Sequence, residues 1–349
     1  MITWRRGTVL ARGRSWPGAQ ELDVDVDGAR VRALAHPPLV GDAEPGDVVL
    51  LNTTALGLGL GTGGYALVVA VPDRLPPDRT GPGHLVKARY SPLQAVVLGA
   101  DEQDSPHHAA LRDGDPLPAP GMPVVVADLH SSLPAVVAGL LAARPGTRVA
   151  YVMTDGGALP LWFSRTVAAL ADRLVGTVTV GQAFGGDVEA VTLHSGLLAA
   201  HHVLGAEVAV VTQGPGNLGT GTAWGFSGVA CGEAVNAAVA VGARPVAVLR
   251  MSGADPRPRH RGVSHHSLTA YGRVALVAAD VVVPASYAAV AGPLPELARH
   301  RRVEVDDAGL LEVLRDSGLP LSTMGRGLDD DPVAFVAAAA AGRHAAALL

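Results

Sequence analysis

The sequence predicts a doubly wound, mostly parallel α/β domain preceded by a small β-rich, barrel-like domain. Three observations carry this reading. After Pro123, fully apolar runs of strand length alternate with runs of helix length, the pattern of a parallel sheet covered on both faces. Residues 5–95 instead show short alternating runs broken by Gly and Pro. At 349 residues the chain is also longer than one typical core holds. The expected division is 1–100 for the β-rich part, 101–122 for an acidic, Pro-rich linker, and 123–349 for the α/β part.

In the first part, strands are expected over 7–13, 21–25, 29–35, 47–52 and 65–71. The run Leu22-Asp23-Val24-Asp25-Val26 alternates as a half-buried strand does, and Asp27-Gly28 marks a hairpin turn after it. In the second part, Val124-Val125-Val126-Ala127 is a continuous apolar strand, followed by a helix over 132–143. Strand 148–153 and helix 158–174 repeat the unit. Strand 178–180 leads to a helix over 187–204 with Asp187 as its N-cap. Strand 207–211 and helix 224–241 follow, then strand 245–249 and helix 267–279. Strand 281–283, helix 285–299 and strand 302–305 complete the series. The Ala-rich tail, 331–349, is expected as a helix docked on the outside, on the helix propensity of Ala alone.

Composition narrows the setting. Hydrophobic residues make up 48% and mean hydropathy is +0.29, enough for a sizeable core, but with 4% aromatic residues that core must be built from Ala, Val and Leu. No apolar run suits a membrane span, and no apolar stretch follows Arg5-Arg6 as a secretory signal requires. The single cysteine, Cys231, excludes an internal disulfide framework; mid-helix among Ala, Gly and Val, it reads as a buried, inert thiol. A net charge of −5 argues against nucleic acid, whose phosphates need clustered positive charge. The expectation is a cytoplasmic protein with a small-molecule ligand, no membrane or nucleic-acid partner, and Ala-rich surfaces suited to a homodimer.

Of the 27 basic residues, 26 are arginines and one is Lys87; Ile2 is the only isoleucine, and asparagine occurs only at positions 52, 217 and 236. GC-rich coding produces this composition, replacing Lys, Asn and Ile wherever Arg, Asp or Val serves. Arg cannot copy a compact, pKa-tunable ammonium, which singles out Lys87.

In an open parallel sheet, ligands bind at the carboxyl ends of the strands where the winding reverses. The loops expected there are rich: Asp128-Leu129-His130, Thr154-Asp155-Gly156-Gly157, the glycine loop 212–222, and Arg250 with the histidine loop 257–267. Loops at the opposite end, such as Arg144-Pro145-Gly146, are short and bland. Gly214, Gly216 and Gly219 formally match a dinucleotide fingerprint, but Pro215 removes a donor and Arg250 stands where an acidic ribose partner belongs. The loop then reads either as a general phosphate or carboxylate cradle or as a structural turn. His260, His265 and His266 lie among Arg257, Arg259 and Arg261, which suits an anion better than a metal held by the loop alone. Asp155 either holds a substrate or metal, or caps a helix. Asp128 stands two residues before His130, placed to orient it. His194 and His201 share a helix face without the spacing of common zinc helices.

Four segments are distinctive: LNTTALGLGLGTGGY at 51–65, GHLVKARYSPLQ at 83–94, QGPGNLGTGT at 213–222 and HRGVSHH at 260–266. Together they resemble the bacterial domain-of-unknown-function 3866 family, over nearly the whole chain; Ala66 departs from the His that the resemblance leads one to expect. The resemblance implies no activity and carries over no catalytic residue. The glycines of 57–64 point to backbone lying close to a ligand or to the other domain.

The leading expectation is an enzyme or binding protein for a small anionic metabolite, phosphorylated or carboxylated, held in a cleft between the two domains. Lys87 and Arg250 would neutralise the anion. Asn52, Gly214, Gly216, Asn217, Gly219 and Thr220 would line the site, with His260 or His265 as the acid–base group and Asp155 and Asp128 orienting substrate or a metal. One alternative is a metal-dependent hydrolase using Asp128, His130 and Asp155. Another is a non-catalytic sensor or scaffold whose loops form a subunit interface. No cofactor is assigned by the sequence.

Overall fold

A computed structural model describes residues 1–61 and 63–349; Thr62, in the glycine-rich segment, lies outside the described residues. Strands β1 (Trp4–Trp16), β2 (Ala19–Val26), β3 (Ala29–Ala35), β4 (Val48–Asn52) and β5 (Ala66–Ala70) close into a barrel in the order β1-β2-β3-β5-β4. Closure leaves no free edge. The alternation of β2 sets the inside: Leu22, Val24 and Val26 are buried among Val9, Val49, Leu51 and Val68, while Asp23 and Asp25 face outward. The long β1 bends around the barrel through two register shifts against β2. Gly7 lies where the walls come closest, since a Cβ there would fall 2.6 Å from Val24. Asp27 and Gly28 both have positive φ, the hairpin geometry that an Asp-Gly pair favours.

A hairpin of β6 (Leu85–Lys87) and β7 (Ala95–Val97) links the barrel to the larger part. The Pro-rich stretch expected as a linker carries the short helix His108–Leu111 and buries Leu111, Leu117 and Met122 against the core beyond it.

Eight strands form the second sheet: β8 (Pro123–Ala127), β9 (Val149–Thr154), β10 (Gly176–Thr179), β11 (Val188–Glu189), β12 (Val208–Gln213), β13 (Arg244–Val248) and, after a short ribbon of β14 (Met251–Ser252) and β15 (Gly262–Val263), β16 (Asp280–Pro284) and β17 (Arg301–Val305). Their order is β11-β10-β9-β12-β8-β13-β16-β17, and every pairing is parallel. From β8 the chain winds outward through β9, β10 and β11. It then returns to place β12 between β9 and β8, and winds the other way. Helix Leu133–Ala143, leaving β8, packs in one core, and helices Leu193–His202 and Ala230–Ala240 pack in the other. The segments leaving neighbouring strands β8 and β12 therefore diverge to opposite faces, which opens a crevice at their carboxyl ends.

The structure departs from the expected helices at five places; that expected over 224–241 begins only at Ala230, after a short turn at Ser227–Val229. The segment 187–204 begins as strand β11, and its helix is only Leu193–His202, capped by Thr192 rather than Asp187. Asp187 instead accepts hydrogen bonds from the Thr177 amide and hydroxyl, tying β10 to β11. The segment 158–174 is broken into short turns around helix Arg165–Ala169. Helix His265–Thr269 passes into a π-helical turn, Ala270–Val274. The segment 285–299 is likewise split into short turns around helix Ala288–Ala291. The tail forms helix Pro332–Ala347, but it is not an outer addition: Ala337 to Ala341 are fully buried between the sheet and helix Leu133–Ala143. Among the described residues, no helix is long and apolar enough to cross a membrane.

The barrel docks over the carboxyl edge through Trp162, in the loop after β9. The Trp16 indole donates to the Trp162 carbonyl at 2.7 Å, and a Cβ on Gly18 would meet the Trp162 ring at 2.2 Å. A cavity of about 380 Å³ remains between the two parts, lined by His36, Leu67, Phe163, Phe184 and Pro215.

Candidate functional site

Five elements meet at the diverging ends of β8, β12 and β13. Asp128 follows β8, Gln213 ends β12, and Arg250 follows β13. The ribbon β14–β15 pairs Met251 with Val263 and Ser252 with Gly262, folding the histidine loop back beside Arg250. Ser264 then caps helix His265–Thr269 by accepting from the His266 amide, so His265 and His266 occupy its first turn.

Asp128 is buried, and its Oδ2 lies 3.7 Å from both Arg250 Nη1 and His266 Nδ1 with no hydrogen-bond partner among the described residues. Arg250 Nη1 stands 3.1 Å from His266 Nδ1. The Gln213 amide donates to the Asp128 carbonyl at 2.6 Å, leaving Gln213 Oε1 buried and unpaired. His260 Nδ1 contacts Ser264 Oγ at 2.7 Å. The rings of His260, His265 and His266 have centroids 4.5 to 5.0 Å apart. Phe226, from the far end of the glycine loop, stacks flat on His266 at 3.7 Å.

The electrostatics follow from the neighbours. Burial, and then the charges of Arg250 and Arg257, push His260 down to about 3. Burial lowers His265 as well, followed by His266, Arg259 and Arg250. Both rings are therefore neutral at neutral pH, able to accept a proton or donate a lone pair. Arg257 is spoken for by Asp255, on which it forms a two-point ion pair.

The glycine loop is not an open row of amides. Thr220 N donates to Gly225 O, Ser227 N to Leu218 O, and Leu218 N to Ser227 Oγ. Asn217 Oδ1 accepts from Ser227 Oγ at 2.8 Å, bracing the excursion closed. Gly216 (φ +103°) and Gly221 (φ +80°) take conformations that disfavour side chains. The tip leans on the histidine loop: a Cβ on Gly221 would lie 3.5 Å from Arg259 Nη2. Gly214 lies deeper, against Leu159 and Met153.

Other expected site residues lie elsewhere. Lys87 is buried, its Nζ donating to the carbonyls of Gly181, Ala183 and Ala190 and lying 3.3 Å from Glu189 Oε2. An ammonium so surrounded has no free donor for an anion. Asp155 Oδ1 accepts from the Gly157 and Ala158 amides and Oδ2 from Gln182, so its carboxylate organises its own loop. Asn52 Oδ1 accepts from the Thr54 amide at the end of β4. Both ring nitrogens of His130 are occupied, Nδ1 by Tyr151 Oη at 3.0 Å and Nε2 by Ser164 Oγ at 2.6 Å. The grouping of Asp128, His130 and Asp155 is thus not assembled.

Burial pushes His130 from its ordinary 6.5 down to about 4. Between these values the unfolded chain binds a proton that the folded chain does not, so stability falls as pH drops through this window. The interval corresponds to about 3 kcal/mol. Denaturant melts from pH 7 to pH 4 should show the loss, with a shallower slope for His130→Gln; parallel slopes would dismiss the assignment.

His266, Phe226 and Gln213 were not among the expected site residues. His266 was visible in the loop, but nothing local separates it from its neighbours. Phe226 has no sequence signal, because its partner lies 40 positions away. A family model described as Protein of unknown function (DUF3866) matches residues 32–342, from the middle of β3 into the tail helix. No curated protein matches the chain.

Proposed function

The chain belongs to the DUF3866 family, and we propose that it binds a small anionic metabolite, phosphorylated or carboxylated, in the crevice between the glycine and histidine loops. One observation supports this above the rest. Arg250 and Arg259 reach the two loops that bound the crevice, and after burial, the largest cause, their charges help to lower the proton affinity of His265, a field that favours an anion. Arg250, nearly buried beside Asp128, and Arg259, exposed against the loop tip, are the charge partners. His265 Nε2 stands beside them without a hydrogen-bond partner among the described residues. The binding centre is therefore Arg250 and Arg259, with Lys87 holding the fold at the sheet edge.

A thermal-shift series with inorganic phosphate, sugar phosphates and dicarboxylates tests this. A ligand at a hundredfold over its Kd adds about 2.7 kcal/mol and raises Tm by several degrees. Arg259→Ala, on the surface, should keep the fold and weaken the best anion about tenfold, the scale of one charge-assisted hydrogen bond. No shift with any anion, or an unchanged affinity in that variant, would overturn the reading.

A further inference from the structure

We propose that His260, His265 and His266 form a binding site for one transition-metal dication of the zinc type, a site that stands independently of the anion reading. One ligand atom from each residue lies within 4.8 Å of the other two. A tetrahedral ion with metal–nitrogen bonds near 2.0–2.1 Å needs nitrogens about 3.4 Å apart, so the rings must close by about 1.4 Å at most. His265 is the ring free to make that movement. It is half-buried, and its Nε2 is shielded from solvent without a hydrogen-bond partner among the described residues. A buried nitrogen left unpaired is costly, and a metal bond satisfies it.

The other two rings are already oriented as ligands. Ser264 Oγ engages His260 Nδ1, and Arg250 with Asp128 faces His266 Nδ1. Ser264 leaves His260 Nε2 as the free nitrogen, an arrangement in which an outer partner fixes the ring. His266 Nδ1 accepts from Arg250 in the metal-free protein. For Nε2 to bind the ion, the ring proton moves to Nδ1 to face Asp128 Oδ2, a carboxylate oxygen 3.7 Å away with no hydrogen-bond partner among the described residues, and Arg250 turns aside. Phe226 holds the His266 ring flat from the glycine-loop side. An all-imidazole set suits zinc, copper, nickel or iron rather than magnesium or calcium, which prefer oxygen.

The nearby arginines do not forbid a cation. Arg257 forms a two-point ion pair with Asp255, and the Asp128 carboxylate, without a hydrogen-bond partner among the described residues, adds a negative charge 3.7 Å from His266. Arg259 remains, but it is exposed and screened by solvent and salt. With three protein ligands the remaining position stays open to water or a solute, as in catalytic rather than structural zinc sites.

The test uses the full chain, stripped with a chelator and titrated with Co²⁺ in a buffer free of phosphate and carboxylate. One equivalent should bind and give the visible absorption bands of tetrahedral Co²⁺. His265→Ala should weaken binding at least tenfold, and so should His260→Ala. His194→Ala, on an exposed helix position elsewhere, should leave it unchanged. His260 is buried; if its variant does not fold, the half-buried His265 variant decides. Binding far below one equivalent, or equal affinity in the His265 and His194 variants, would overturn the proposal. An anion-induced thermal shift that persists in the stripped protein while Co²⁺ fails to bind would overturn this inference alone. Co²⁺ binding without any anion shift would overturn only the anion reading.

Discussion

Lys87→Met is expected to cost about 3–5 kcal/mol of folding stability, the scale for removing one partner of a buried ion pair. The ammonium reaches across 94 to 103 residues of sequence to three carbonyls, of Gly181, Ala183 and Ala190, in the turns that follow β10 and β11. Methionine keeps the stem but leaves these acceptors and Glu189 without their cation. Glu189 retains the Thr179 hydroxyl and the Gly185 amide, yet burial already pushes its carboxyl up, so it would take up a proton in the variant. Lys87→Arg is expected to lose nearly as much, because a planar fork does not fit a cage shaped for a compact ammonium. Urea denaturation of both variants measures this. A Lys87→Arg protein as stable as the parent would show that the cage is not specific for lysine.

Gly139→Ala and Gly342→Ala are each expected to destabilise the protein by about 3 kcal/mol, the upper end for overpacking. Helices Leu133–Ala143 and Pro332–Ala347 cross backbone on backbone. A Cβ on Gly139 would lie 2.1 Å from the Ala339 carbonyl oxygen, and one on Gly342 would lie 2.1 Å from that of Val136. Backbone atoms cannot swing aside as side chains do, so the helices must part, and the alanines between them lose contact along their length. On propensity alone, the same substitutions in a free helix would gain nearly 1 kcal/mol. The two effects have opposite signs, so thermal melts of the single variants decide between them. An increase in Tm would mean that the helices are not in such contact.

Much of the fold was legible because its signals are local. Runs such as Val124-Val125-Val126 and Val281-Val282-Val283 give buried parallel strands, and Asp27-Gly28 gives the barrel hairpin. The misread segments are those where local and tertiary preferences disagree. Strand β11 is two residues long, and no periodicity identifies so short a strand; its place is set by pairing with β10 and by Asp187 reaching back to Thr177. Segment 158–174 has helical composition, but Trp162 is taken up by the barrel and Ser164 by His130 and by the Val167 amide it caps.

The candidate site divides the same way. Loop richness at the carboxyl ends marked His260, His265, Asp128 and Arg250, and the winding brings these together. Lys87 stood out in an arginine-rich chain, and the structure supplies a reason for a compact ammonium there, but as a staple at the sheet edge rather than as an anion partner. Asn217 braces the glycine loop for the same kind of reason, a short side chain reaching Ser227.

The sequence by itself determined the alternation of strands and helices, the β-rich start, and the loops that carry polar chemistry. These depend on hydrophobic period and turn chemistry, which a chain carries in its local order. Only the tertiary structure decided which polar groups are consumed by the fold and which remain open. That depends on partners tens of residues away: Tyr151 and Ser164 close His130, Gly181 and Glu189 close Lys87, and nothing among the described residues closes His265 Nε2.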